Sequence, residues 1–188
     1  MRSMPHLIVN SITDSVMASA VADMSLDMSV SNYVRLDRMS LPDIYREGSD
    51  FSKGLAVLKQ GDVYIVSTGA MTHMALEVSE ELAKKGPEVG VIDAFSFPIP
   101  VDELVKAIDG TERIITLEEH FLPGGLGSAV AEVLADQGIV IPIHRIGLSH
   151  EKGYCYRYGG RDEIREYYGL DKPSVAQRVN AFLGSPQA

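Results

Sequence analysis

The stretch from Arg113 to Glu132 constrains the fold more than any other part of this chain. Arg113-Ile114-Ile115-Thr116-Leu117 is an apolar, largely β-branched run, Gly124, Gly125 and Gly127 follow it, and Leu126, Val130, Val133 and Leu134 then recur at helical spacing. The pattern reads as strand, glycine turn, helix. Glycines suit such a crossing because the chain reverses within few residues and must lay a helix close against a sheet.

The same alternation continues on both sides. Asp62 to Ser67 is a strand, Thr68-Gly69 a turn, and Met71 to Lys85 a helix with Met74, Ala75, Val78 and Leu82 on one side and Glu77, Glu80, Glu81 and Lys84 on the other. Gly86-Pro87 stops it. Val89 to Ile92 is a strand, Phe95 to Pro100 a connection that its two prolines keep out of any regular element, and Val101 to Ile108 a short helix. The helix of the opening stretch runs to Gln137 and ends at Gly138. Ile139 to Ile146 is a further strand, with Pro142 pointing to an edge or early position. A Gly- and Tyr-containing loop, a helix from Arg161 to Tyr168 and an amphipathic helix through Val175, Val179 and Phe182 close the chain. Strands alternating with helices in this way call for an α/β fold: an open, largely parallel (mixed) five-stranded sheet with helices on both faces.

The first residues read differently. His6 to Asn10 is a strand, Thr13 or Asp14 caps a helix through Val16, Met17, Ala20, Val21 and Met24, and Tyr33 to Leu36 is a second strand. One βαβ unit cannot cover both faces of its sheet, so it is expected to be a remnant of another domain or to belong to a partner's. Asp37 to Gly61, irregular and rich in turn residues, is long for a loop inside one domain. The expected division is 1–38, a domain remnant; 39–61, a linker; and 62–188, the main domain.

Charge and cysteine content narrow the function. A net charge of −9, from 17 basic and 26 acidic residues, argues against a mainly electrostatic nucleic-acid binder. The single Cys155 excludes an intrachain disulfide and a four-cysteine zinc site. No apolar run approaches the length of a membrane span, and Met1 to His6 holds no apolar stretch fit for a secretory signal, so the expected place is the cytoplasm.

Gly124, Gly125, Gly127 and Ser128 form a candidate anion-binding turn, since free amides and the positive end of a helix both favour negative charge. The turn matches neither GxGxxG nor GxxxxGK[ST] and has no lysine nearby, so a turn built for close packing of helix on strand is the preferred reading. Glu118, Glu119 and His120 sit at the carboxyl end of a predicted parallel strand, where open α/β sheets place ligands. Adjacent strand residues point to opposite faces, so these three are not expected to converge, and a domain or subunit interface is the alternative. Arg35 and Arg38 flank a strand end where a guanidinium can grip a phosphate. The Tyr154 to Arg161 loop has the composition of an interface hot spot. No metal-ligand spacing and no hydrolase elbow appear among the histidines and serines.

Several segments together resemble a known family. Asp62 to Gly69, Val91-Ile92-Asp93, Phe97 to Pro100, and Glu118-Glu119-His120 with Gly124 to Val130 look like the C-terminal domain of transketolase. The same domain occurs in deoxyxylulose-phosphate synthase and the pyruvate dehydrogenase beta subunit. Tyr158 to Asp171 is similar to that family's closing helices, and Asn10 to Asp14 with Tyr33 to Arg38 resembles the end of its pyrimidine-binding domain. The resemblance implies a transferase of two-carbon ketol units between sugar phosphates, using thiamine diphosphate and magnesium in the complete enzyme. It implies no cofactor on this chain alone, which has no Gly-Asp-Gly motif and begins beyond the cofactor-activating glutamate. It further implies a homodimer, a partner subunit carrying the N-terminal section, or both. By the same resemblance Arg38 holds the substrate phosphate, whereas Ser31-Asn32 departs from the family's Gly-Pro before that strand. The rival reading is a non-catalytic module that binds an anion or docks a partner.

Overall fold

The computed structural model describes residues 1–84 and 86–184. Strand β1 (Leu7–Ser11), helix α1 (Ser15–Leu26) and strand β2 (Ser31–Arg35) form the expected parallel βαβ unit. Asp14 starts α1: its Oδ1 accepts the Met17 N–H at 2.8 Å, as an N-cap carboxylate does.

The larger sheet has five strands. Following β3 (Leu55–Lys59) come β4 (Val63–Ser67), α2 (Met71–Ala83), β5 (Val89–Ala94), a two-residue strand β6 (Ser96–Phe97) and α3 (Val101–Ala107). Then follow β7 (Arg113–Phe121), α4 (Leu126–Asp136), β8 (Ile143–Leu148), α5 (Arg161–Tyr168) and α6 (Lys172–Leu183). The order is β3-β5-β4-β7-β8, with β3 antiparallel to β5 and the other neighbours parallel.

Period-two alternation explains why both faces are covered. Tyr64 and Val66 of β4 pack with Leu104, Leu126 and Val130 on the α3 and α4 side. Val63 and Ile65 of the same strand pack with Val78, Leu82, Val175 and Val179 on the α2 and α6 side.

Four details depart from the sequence expectations. The stretch read as a linker contains β3: Leu55 to Lys59 is nearly all apolar and lies along β5, which leaves the irregular part at 37–54. The connection at 95–100 contributes β6, which pairs antiparallel with β1 through Val9–Phe97 and Asn10–Ser96 and stops at the cis Phe97-Pro98 bond. Strand β8 begins only after Pro142, whose missing N–H unsuits it to the ladder while its carbonyl still accepts from Ile114 at 3.0 Å. Helix α2 ends at Ala83 with Lys84 as its cap, and the expected last residue, Lys85, lies outside the described residues, as do 185–188 of the main domain.

β6 matters because it ties the two sheets together. The βαβ unit becomes a three-stranded sheet, β2-β1-β6, whose third strand is lent by the main domain. A small core of Ile12, Met17, Val21, Phe51 and Phe95 fills the join, with Tyr45 edge-on to Phe51 at 4.8 Å.

Candidate functional site at the junction of the two sheets

The carboxyl ends of β2 and β7 and the N-terminus of α2 meet where the two units join. Glu118 and Glu119, adjacent on β7, face opposite ways there, as the pleat demands. Glu118 is buried, its Oε2 accepting from the Leu126 N–H at 2.7 Å and its Oε1 from the Gly127 N–H at 2.8 Å. The first amides of α4 are thus occupied by the chain's own carboxylate. Burial pushes the Glu118 carboxyl above its ordinary pKa, with the two amide bonds opposing. Gly125 leaves room for this arrangement, since a Cβ there would lie 1.9 Å from Glu118 Oε2. Ser128 donates to the Leu122 carbonyl at 2.8 Å and accepts from the Gly124 N–H at 3.0 Å, so its hydroxyl closes the turn from within. Gly124 itself has φ +76°, a conformation that favours glycine.

Glu119 belongs to a network of four charges. Arg161, the first residue of α5, grips Asp37 with two parallel bonds of 2.6 Å and Glu119 through Nε and Nη2 at 2.6–3.0 Å. Arg165, one turn further along α5, adds a 3.0 Å bond to Glu119. The Arg161 hydrogen bonds hold the Asp37 carboxyl down to about 2. Burial raises Glu119, but the two guanidinium groups outweigh it and leave its pKa below the ordinary value. The same carboxylates raise Arg161.

His120 is exposed, its Nδ1 3.0 Å from the Phe121 carbonyl oxygen. With Arg35, Ser11, Tyr33 and Thr68 it lines a cleft of about 270 Å³ between the β2-β1-β6 sheet and the glycine turn. Arg38 follows β2, is exposed, and has no hydrogen-bond or ion-pair partner among the described residues. The structure therefore brings Glu119 to Asp37 beside Arg38, and sets Gly124, Gly125, Gly127 and Ser128 around Glu118. It sets His120 in the cleft, which Glu118, Gly124 and Gly125 also line.

Sequence reasoning missed the most buried polar cluster. Asp93, at the end of β5 and fully buried, accepts from Thr13 Oγ1 at 2.6 Å, Thr72 Oγ1 at 2.9 Å and the Tyr45 phenol at 2.9 Å. These donors come from the β1–α1 turn, the first turn of α2 and the 37–54 segment, so one carboxylate joins three parts of the chain. Burial pushes its pKa up to about 7; Asp14 adds to the rise and the three hydroxyls oppose it. Burial and Asp93 likewise raise the Tyr45 phenol. His73 donates from Nε2 to the Thr13 carbonyl at 2.9 Å across the same join, which makes it an interface residue. A charged residue closing an otherwise apolar strand was the available signal for Asp93. Nothing local to Asp37 or Arg161 announces their pairing.

Among the described residues no group of three or more His, Cys, Asp or Glu side chains could hold a metal. The buried carboxylates are committed elsewhere: Asp14 to backbone amides, Asp93 to hydroxyls, Glu118 to the α4 amides. The residues present thus do not fit a magnesium-bound diphosphate.

Fold and junction together define a mixed α/β domain that docks a neighbouring βαβ unit through buried polar groups. Residues 52–175 match the family model described as the transketolase C-terminal domain, and the chain belongs to that family. It is 35% identical over 146 residues to one subunit of the apulose-4-phosphate transketolase of Actinobacillus succinogenes, covering 76% of this chain and 46% of that protein. It is 31% identical over 183 residues to a transketolase C-terminal section of Methanocaldococcus jannaschii, covering 95% and 56%. A solved structure described as a split-gene transketolase, inactive beta4 tetramer, superposes with a TM-score of 0.87 at 33% identity, covering 96% of this chain and 59% of that one. The chain therefore spans about half the length of the relatives it matches.

Proposed function

We propose that this chain is the C-terminal part of a split transketolase-like enzyme that transfers a two-carbon ketol unit between sugar phosphates, and that Arg38 holds a substrate phosphate. The observation that carries the reading is Arg38 itself: an exposed guanidinium without a partner among the described residues, just beyond the carboxyl end of a parallel strand and next to Asp37, a carboxylate already paired with Arg161. A guanidinium in that position suits bidentate capture of a phosphate.

In this reading the cofactor, thiamine diphosphate with magnesium, is held by other sections of the enzyme, and it supplies the electron sink for carbon–carbon bond cleavage. This chain holds no part of that metal site. Its residues orient the phosphate end of the substrate and supply interface. Residues 1–38 are the end of a pyrimidine-binding domain, and the C-terminal domain follows the 37–54 segment. The required partner is a separate chain carrying the N-terminal section. The relatives support a separate N-terminal chain, one being named as a transketolase subunit and another as a C-terminal section. We further propose that the assembled enzyme is a homodimer, a pairing with that N-terminal chain, or both, and that it works in the cytoplasm. The relative described as a beta4 tetramer is also described as inactive, which fits a division of labour between chains. An anion held at Gly124 to Ser128, the rival reading, has to displace Glu118 from the amides it occupies.

Calorimetric titration of the chain with thiamine diphosphate and magnesium tests the division. The expected result is no saturable heat for the chain alone and ketol transfer once the missing sections are added. Tight binding by the chain alone sinks it.

A further inference from the structure

We infer that Arg161 is a positioning residue for Arg38, acting through Asp37 to fix the backbone that carries the phosphate-binding guanidinium. The inference rests on the reading of Arg38 given above. It deepens that reading by naming what aims the side chain.

Asp37 is the middle of the device. Its Oδ1 accepts the backbone N–H of Met39 at 3.0 Å, two residues on, which closes a side-chain turn around the Arg38 peptide. The same Oδ1 accepts Arg161 Nη1 and its Oδ2 accepts Arg161 Nη2, both at 2.6 Å. The carboxylate that shapes the Arg38 backbone is therefore held by a planar fork, which fixes orientation as well as distance. Arg161 is itself held from its other side by Glu119 at 2.6–3.0 Å, and Glu119 also by Arg165 at 3.0 Å. Side chains in this cluster are 12–26% exposed, so solvent screens the pairs less than it would at an open surface.

The arrangement divides the two arginines by role. Arg161 spends four of its five N–H donors on carboxylates of this chain, which leaves one Nη1 hydrogen uncommitted. Arg38, one residue from Asp37, has its backbone clamped and its side chain free. A substrate arginine on a segment without regular structure needs such an anchor, because a displacement of the order of 1 Å removes much of the benefit of a preset contact. The anchor comes from α5, at the far end of the chain, so the main domain aims the arginine of the βαβ unit.

The experiment compares Arg161→Gln, Arg161→Lys, Asp37→Ala and Asp37→Asn with Arg38→Gln, in two arms. In the chain alone, hydrogen exchange at the Met39 amide reads the turn directly. Arg161→Gln and Asp37→Ala should speed it about tenfold or more, while Asp37→Asn, whose amide oxygen still accepts from Met39, should stay closer to the parent. In the enzyme assembled with its remaining sections, kinetics are read with ribose 5-phosphate against free ribose. Arg161→Gln should raise KM for the phosphorylated acceptor roughly tenfold with kcat kept and leave the free sugar unchanged. Arg161→Lys, which keeps the charge and loses the fork, should be no better than half-rescued on a logarithmic scale. Unchanged Met39 exchange in Arg161→Gln and Asp37→Ala overturns the clamp. So does an unchanged KM in Arg161→Gln when Arg38→Gln raises it. If Arg38→Gln leaves KM unaltered, the reading of Arg38 as the phosphate ligand fails instead, and Met39 exchange still judges the clamp.

Discussion

Glu118 accepts the backbone N–H of Gly127 at 2.8 Å, and with the neighbouring bond from Leu126 this places a carboxylate on the first amides of α4. A helix N-terminus attracts an anion through its free donors and its dipole. Here the anion is a side chain from the preceding strand. The glycine turn consequently serves the packing of β7 against α4 before it serves any ligand.

Removing that carboxylate should expose the site it fills. Glu118→Ala leaves two buried amides without partners and is expected to lower stability by about 1–3 kcal/mol, measured by urea denaturation. Formate is small enough to replace the lost group. It should raise the melting temperature of Glu118→Ala in a saturable way and leave the parent chain unmoved. A parent chain stabilised to the same degree would mean that the turn binds anions with Glu118 in place.

The glycines of the turn and of the irregular segment should respond differently to alanine. At Gly125 the backbone has φ −84°, open to any residue, but the new Cβ meets Glu118 Oε2 and the Phe121 carbonyl at 1.9 and 2.7 Å. Gly48 has φ +81° and nothing within 4 Å. Gly48→Ala should therefore cost about 1 kcal/mol from backbone conformation alone, and Gly125→Ala distinctly more, because it evicts the cap. Paired denaturation curves check the order.

The winding of the main domain was legible because both of its periods are written in the chain. Val63 to Ser67 is buried on both faces, and Val78 and Leu82 recur at helical spacing beneath it, so strand and helix announce themselves. The pleat alone separated Glu118 from Glu119. β3 was readable in principle, as an apolar run between Gly54 and Gly61, and was hidden by the turn residues around it. β6 has only two residues and no periodicity to read. Asp93 finds Thr13 and Tyr45 across 80 and 48 residues, and Arg161 finds Asp37 across 124. Such pairings are set by how the two sheets dock, which local spacing does not encode.

Asp93 should make stability depend on pH in a direction opposite to most carboxylates. Unfolded, the group titrates at its ordinary 3.8; folded, it is pushed up to about 7 by burial. Between those values the native state keeps a proton that the unfolded chain has released, so stability falls as pH rises from about 4 to about 7, by at most about 1.4 kcal/mol per pH unit. Asp37, held down to about 2, works the other way: its contribution is present above 3.8 and is lost as pH falls toward 2. Asp93→Asn should flatten the first slope and keep the second. Urea midpoints at pH 5 and pH 8 decide it; an equal fall for the parent and Asp93→Asn assigns the slope to other groups.

Tyr45 gives a finer test of the same carboxylate. Its phenol donates to Asp93 Oδ2 at 2.9 Å, while its backbone N–H donates to Asp14 Oδ2 at 2.7 Å. Tyr45→Phe keeps the ring beside Phe51 and keeps the amide bond, so it removes a single O–H. At pH 8 Asp93 is mostly ionised and draws on every donor it has, and losing one should destabilise the chain by about 1–2 kcal/mol. At pH 5 Asp93 is protonated and carries a donor of its own, so the same substitution should cost less. In an Asp93→Asn background the pH dependence of the Tyr45→Phe effect should vanish, because the group that titrates is gone. A Tyr45→Phe penalty that is equal at both pH values in the parent chain would place the ionisation elsewhere than at the carboxylate Tyr45 touches.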